Sequence, residues 1–262
     1  MPVICISSPQ GGSGKTTLAA NLASAYAYRG NKVLLIDLNV QNALRHYFNL
    51  TLVGPHGFVP YIDNTDDWGQ FILKVDTNLY LLPYGDVTWK QHLDFQMLIH
   101  EKPDVFRKNI SDITAKSGVV VIIDMPTSPQ LALHEIQSLI DLQVTTLLAD
   151  GIAPLLLEKI ADRTFPGTPQ DNHNQHCYVI NKIDPRYEMS HDIEVYLKER
   201  MGDLVLGEIH DDSSVPAALA SQKTLRTYRP ASSALFDIDS IEEKISTRLN
   251  ILVGNNDASP TL

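Results

Sequence analysis

The chain has 262 residues, a formal net charge of −10, and 44% hydrophobic against 20% charged residues, values that suit one globular α/β domain with a large core. The acidic balance counts against a free-standing nucleic-acid binder, whose affinity comes from Lys and Arg neutralising phosphates. No apolar run reaches the 18 residues of a membrane-spanning helix, and no basic, apolar leader precedes the first strand, so a cytoplasmic location is expected. Cys5 and Cys177 read as small buried hydrophobes of a reducing compartment.

In chain order, Val3 to Ser7 reads as a buried strand, and Leu18, Ala19, Leu22, Ala23 and Ala25 carry the apolar spacing of a helix. Between them lies Pro9-Gln10-Gly11-Gly12-Ser13-Gly14-Lys15-Thr16-Thr17, in the strand-loop-helix context that a phosphate-binding loop requires. Backbone N–H groups of Gly11, Gly12, Ser13 and Gly14 can curl round β- and γ-phosphates where side chains are absent. Lys15 supplies a point charge to those oxygens, Thr16 a hydroxyl to Mg²⁺, and Thr17 completes the nucleotide-binding run. The general pattern has Gly where this chain has Pro9, which brings no N–H. After Gly30, Val33 to Asp37 forms a second buried strand, parallel to the first, with Asp37 at its carboxyl end beside the phosphates.

A Gly-Gly-x-Gly-Lys-Thr loop opening the chain, followed by Leu-Ile-Asp-x-x-x-Gln, resembles the ParA/MinD group of P-loop ATPases with a deviant Walker A motif. The resemblance implies an ATP-sandwiched homodimer in which a lysine before the two glycines reaches the partner's nucleotide and an acidic residue two after the first positions the attacking water. This chain has Gln10 and Asn39 at those two places. Gln10 donates a hydrogen bond without neutralising charge, and Asn39 cannot act as a base. ATP binding is therefore implied more firmly than turnover, with Lys15 and Asp37 kept and Gln10 and Asn39 degenerate.

Residues 51 to 65, with Gly54-Pro55, Gly57 and Pro60, read as a surface loop. Trp68, Phe71 and Ile72 have helical spacing, Leu79 to Leu82 reads as a short strand ended by Pro83, and Trp89, Leu93, Met97 and Leu98 suggest a helix packed by that face. Val119 to Asp124 is the clearest central strand, and Asp124 closing it is a Walker B arrangement that would hold Mg²⁺ through water. Pro126 just beyond resembles the Asp-x-Pro of the same group. Val144 to Ala149 is a further strand and Leu155 to Ile160 begins a helix. His173, His176 and Cys177 lack a second pair of ligands, so a solvated loop over 166–175 is expected there and not a zinc site.

Cys177 to Asn181 is a strand leading into Lys182-Ile183-Asp184. Asn181 is placed for an adenine edge, while Asn-Lys-x-Asp is also the guanine-reading signature, in which the Asp184 carboxylate would accept from guanine N1 and N2 hydrogens. The sequence leaves ATP and GTP open at this point and the upstream motifs favour ATP. Leu204 to Ile209 is the last strand. Asn42 to Asn49, Asp184-Pro185-Arg186 and the frame from Val215 to Pro230 are similar to the BcsQ/YhjQ family, MinD-like proteins encoded with bacterial cellulose synthases. In a MinD protein the final helix would be basic, amphipathic and lipid-binding; here Ile241, Ile245, Leu249 and Leu252 lie beside Glu242 and Glu243, so core packing and no direct membrane insertion are expected.

The resulting expectation is a doubly wound, mainly parallel sheet of about seven strands over residues 1–253, and a disordered tail at 254–262. Lys15, Thr16, Asp37 and Asp124 converge outside the strand ends. The family resemblance implies an ATP- and Mg²⁺-bound switch or scaffold supporting cellulose synthesis, recruited to the inner-membrane synthase complex and bound by a small regulatory partner protein. A ParA-like partitioning ATPase remains the alternative, opposed by the −10 charge and by Asn39. A small-molecule kinase would need an acceptor pocket and a base that the sequence does not supply.

Overall fold

The computed structural model describes residues 2–50, 56–63, 67–115, 118–127, 131–161 and 176–252. Gly54-Pro55, the polar loop at 166–175 and the tail at 254–262 lie outside the described residues. Within them the chain runs β1 (Val3–Ser7), α1 (Lys15–Tyr28), β2 (Lys32–Asp37), β3 (Leu73–Asp76), β4 (Leu79–Leu82), α2 (Trp89–Glu101), α3 (Pro103–Thr114), β5 (Val119–Asp124), α4 (Leu131–Ile136), β6 (Leu142–Leu148), α5 (Ala153–Ala161), β7 (His176–Ile183), α6 (Glu188–Met201), β8 (Val205–His210), α7 (Ser214–Ala220), α8 (Leu225–Tyr228) and α9 (Ser233–Leu249).

The sheet order is β3-β4-β2-β5-β1-β6-β7-β8, with every pairing parallel except β3 with β4. The strands that cover both faces are nearly continuous apolar runs, as a parallel sheet buried on both sides demands. Alternation along each strand feeds two cores. Ile4, Ile6, Val120 and Ile122 face α1 and α9, while Val3, Cys5, Val121 and Ile123 face α2, α3 and α4. A third cluster under α5 and α6 gathers Leu147, Leu157, Tyr178, Ile180 and Leu197. Because β5 lies on one side of β1 and β6 on the other, the order reverses at β1, and the loop after β1 opens at that switch point.

The stretch read as helical at 68–75 is a single 3-10 turn, Trp68–Phe71, followed by β3, the antiparallel edge strand that brings the sheet to eight. Spacings of three and four fit one tight turn as well as a long helix. Beyond it Leu73-Lys74-Val75-Asp76 alternates half-buried with exposed, the period of an edge strand, and the turn to β4 passes through Asn78 at φ +61°. Part of the expected surface loop is also internal. Phe58 and Val59 are fully buried, tied by backbone N–H bonds to the carbonyls of Pro83 (3.2 Å) and Tyr84 (3.1 Å). Phe58 stacks in an aromatic cluster with Trp68 (4.7 Å) and Phe95 (5.4 Å).

Helix α2 forms where expected, started by a capping box between Thr88 and Gln91, but packs by a different face. Phe95 and Ile99 are buried, whereas Trp89 is 73% exposed and Leu93 and Met97 also face out. Helix α9 buries Ile241 and Ile245 against β8 and α1 and ends at Asn250 in the left-handed region, leaving Leu252 beyond it. No helix among the described residues is long and apolar enough to cross a membrane.

The contrast along α2 gives a stability prediction. Phe95→Ala should cost about 3–5 kcal/mol, whereas Trp89→Ala should change stability by less than about 0.5 kcal/mol. Urea midpoints of the two variants check it, and equal losses would contradict the assigned packing face.

Candidate functional site

The loop between β1 and α1 enters the helix at Gly14, which has φ +88° and ψ 17°. A Cβ there would lie 2.2 Å from Asn181 Nδ2, so both the backbone conformation and the neighbour require glycine. Asn181, at the carboxyl end of β7, donates from Nδ2 to the Ser13 carbonyl (2.7 Å), and Ser13 Oγ bonds Thr146 Oγ1 (2.9 Å). The loop is thus pinned from below by β6 and β7, with its N–H groups and the positive end of α1 left to face the cleft. An added Cβ at Gly11 or Gly12 would meet nothing within 4 Å, which marks the open side of the cradle.

Adjacent strands bring the two strand-ending aspartates side by side, since Asp37 of β2 is in register with Asp124 of β5. Both are fully buried. Asp37 Oδ1 accepts from the Asn39 N–H (2.9 Å) and Oδ2 from the Leu44 N–H (3.3 Å), so its carboxylate also shapes the loop that follows it. Thr16 Oγ1 donates to Asp124 Oδ2 (2.6 Å), while Asp124 Oδ1 is buried without a hydrogen-bond partner. Burial pushes both carboxyls up, Asp124 to about 7 and Asp37 well above the usual range with its neighbour's charge adding to the effect. A hydroxyl and two carboxylates, one with an orphaned buried oxygen, form a hard oxygen donor set that fits Mg²⁺.

Lys15, almost completely buried, reaches past this pair and donates to Thr127 Oγ1 (2.6 Å) in the loop after β5. Burial lowers its pKa and the Asp124 charge partly opposes that. Thr17 Oγ1 bonds Tyr47 Oη (2.8 Å). The cleft above these groups has a volume of about 740 Å³, within the range of small-molecule sites. Gly11, Gly12, Gly14, Lys15, Thr16 and Thr17 line it at one end. Asn39 lines it from β2, and Asn181 and Lys182 from β7.

Ser13, Asp37 and Asp124 are buried behind the cleft wall, and two further expected site residues stand aside from it. Gln10 turns to the loop after β6, where its Nε2 donates to Asp150 Oδ2 (3.2 Å). Asp184 lines a neighbouring cavity of about 640 Å³, its carboxylate engaged by Arg186. Conversely, sequence reading passed over Thr127, Asp150 and the run His210-Asp211-Asp212, which lies at the far end of the cleft. All three follow the carboxyl ends of strands, and in an open parallel sheet that position is the available signal. His176 and Cys177 lie apart from each other's partners: His176 Nε2 bonds Thr145 Oγ1 (2.7 Å), and Arg248 donates to Cys177 Sγ (2.8 Å). Among the described residues no cluster of His, Cys, Asp or Glu suits a metal by itself.

The raised Asp124 pKa has a definite sign. A carboxyl held protonated by burial contributes stability that is fully present below its unfolded value of about 3.9 and is lost as pH rises through about 7. Protein stripped of nucleotide should therefore be stabilised at pH 8 by Asp124→Asn, with the difference vanishing near pH 3.5. Urea midpoints at the two pH values test this, and a destabilised variant at pH 8 would contradict it.

Comparison with known proteins follows the same lines. A MinD in complex with Mg-ADP from Pyrococcus horikoshii superposes with a TM-score of 0.72 at 19% identity, over 95% of this chain and 98% of that one. A Cyanothece McdA variant in complex with ATP gives 0.71 at 18% identity, over 96% and 97%. These likenesses establish the MinD/ParA-type P-loop fold. The Cellulose biosynthesis protein BcsQ of Salmonella typhi is 24% identical over 247 residues, 91% of each chain. An uncharacterized ATP-binding protein of Methanocaldococcus jannaschii is 31% identical over 249 residues, 91% of this chain and 87% of its own. The family model for Cellulose biosynthesis protein BcsQ matches residues 1–244, and the chain therefore belongs to the BcsQ family.

Proposed function

We propose that this chain binds ATP with Mg²⁺ and acts as a dimeric switch or scaffold in bacterial cellulose synthesis or secretion, with slow or absent hydrolysis. The observation that carries this reading is the convergence of Lys15, Thr16, Asp37 and Asp124 under one cleft, with Asp124 Oδ1 buried and unpartnered. The MinD and McdA structures named above hold Mg-ADP and ATP in proteins of the same fold.

In this reading the N–H groups of residues 11–14 and the N-terminus of α1 cradle the phosphates, and Lys15 moves from Thr127 to the β/γ oxygens. Thr16 and Asp124 hold the cation, Asp124 through water, and Asp37 adds negative charge beside them. Bound Mg²⁺ supplies charge neutralisation at the phosphates. The loop after β2, with Asn39, and the loop after β5, with Thr127, then both answer to the third phosphate. Asn39 is a poor base, and Gln10, bonded to Asp150, brings no charge toward a partner subunit. The cycle is thereby biased toward holding ATP.

The deviant Walker A pattern supports the dimer, and exposed Val40 supplies apolar surface at the cleft. BcsQ family membership supports a partner-mediated role in cellulose synthesis, in which the inner-membrane synthase complex and a small regulatory protein are the proposed partners.

Light scattering on a sizing column, with released phosphate read from the same fractions, tests the reading. ATP with Mg²⁺ should give a dimer, ADP a monomer, and phosphate release should be negligible. Lys15→Ala should weaken ATP binding on the order of a hundredfold. The double variant Gln10→Lys/Asn39→Asp should raise phosphate release about tenfold or more. A monomer with every nucleotide would remove the dimeric switch, and brisk release by the parent chain would favour a cycling partitioning-type ATPase.

A further inference from the structure

The chain carries the Asn-Lys-x-Asp run at 181–184, whose aspartate has the chemistry to select guanine, and the structure shows what that aspartate does instead. Guanine recognition needs one carboxylate with both oxygens free to accept two parallel donors, N1–H and N2–H. In Asp184 both oxygens are taken. Oδ1 accepts from the Arg186 backbone N–H (3.0 Å) and from Arg186 Nε (2.8 Å), and Oδ2 accepts from Arg186 Nη2 (2.6 Å).

The Nε/Nη2 edge of a guanidinium is itself a pair of parallel N–H donors, matching the hydrogen-bonding edge of guanine. Backbone contacts fix the turn that carries the carboxylate. The Asp184 N–H bonds Ser190 Oγ (3.2 Å), and the Tyr187 N–H bonds the Asp184 carbonyl (3.1 Å), which closes the turn around Pro185. The charge of Asp211 faces the same guanidinium from the loop after β8. Arg186 holds the Asp184 carboxyl down at about 2, so the acceptor stays ionised and engaged across the working pH range. The cavity that contains Asp184 and Arg186 shares His210, Asp211, Asp212 and Pro216 with the main cleft, so the clamp adjoins that cleft across a common wall.

We propose that Arg186 is an internal guanine surrogate: by filling the Asp184 carboxylate it removes the one acceptor pair that would favour GTP, and so sets the site for adenine nucleotides. The assignment rests on the nucleotide-binding reading above. Adenine has no matching donor pair and loses nothing from the clamp, whereas guanine enters with N1–H and N2–H desolvated and unpaired. Asn181 does not compensate, because its amide is committed to the Ser13 carbonyl and the Lys182 N–H.

The test is displacement of fluorescent ATP and GTP analogues from the full chain with Mg²⁺, for the parent, Arg186→Leu, Arg186→Lys and Arg186→Leu/Asp184→Asn. The Arg186 side chain is 79% exposed, so its replacement leaves the core intact. The parent should prefer ATP by about tenfold or more. Arg186→Leu should gain about tenfold in GTP affinity with ATP affinity held within about twofold. Arg186→Lys, which lacks the planar fork, should gain less, and adding Asp184→Asn should abolish the gain. An unchanged GTP/ATP ratio in Arg186→Leu, or a gain that survives Asp184→Asn, would overturn the assignment while leaving nucleotide binding intact. A parent that binds neither nucleotide would remove the nucleotide reading and the assignment with it.

Discussion

Two buried carboxylates in register at the ends of adjacent strands are the constraint on which the rest of the site depends. Asp37 and Asp124 lie in a fully buried setting that disfavours charge, each terminating its strand at the carboxyl edge of the sheet, where an open parallel sheet can admit a ligand. The groups around them serve that pair. Thr16 satisfies one oxygen of Asp124, Lys15 lends positive charge, and the N–H groups of Asn39 and Leu44 hold Asp37. One Asp124 oxygen is left over, and a buried acceptor without a partner is costly unless a ligand supplies one.

The same geometry explains how a binding site could act as a switch. Asp37 and Asp124 each end a strand and begin a loop, so the groups that would hold the cation also set the conformation of Asn39 to Gln41 and of Met125 to Thr127. Lys15 ties the glycine loop to the second of these through Thr127. The proposed weakening of hydrolysis at Gln10 and Asn39 would leave this coupling in place.

Much of this was legible in the sequence, because the strongest signals are local. The glycine loop lies between an apolar strand and a helix, and Asp37 and Asp124 each close a run of buried aliphatics. What escaped depends on contacts between distant or equivocal segments. Gln10 meets Asp150 across 140 positions of chain. Trp68, Phe71 and Ile72 share a spacing with one 3-10 turn, so β3 was read as helix. On α2 the buried face passes through Phe95 and Ile99, chosen by Phe58, Trp68 and Phe106, residues that no helical wheel of α2 contains. Asp184 stands in a motif that leaves ATP and GTP open, and only the fold shows both of its oxygens engaged by Arg186, two residues on.

We propose the buried Asp37–Asp124 pair as the receiver of a divalent cation with its nucleotide. Calorimetric titration of MgATP into the protein at pH 6.5, repeated in two buffers of different ionisation enthalpy, tests it most directly. A pair held protonated by burial must release its proton as the cation arrives, so the heats should differ between buffers by the better part of one proton per site. That difference should disappear in Asp124→Asn. Binding with the same heat in both buffers, or proton release undiminished in the variant, would contradict the account.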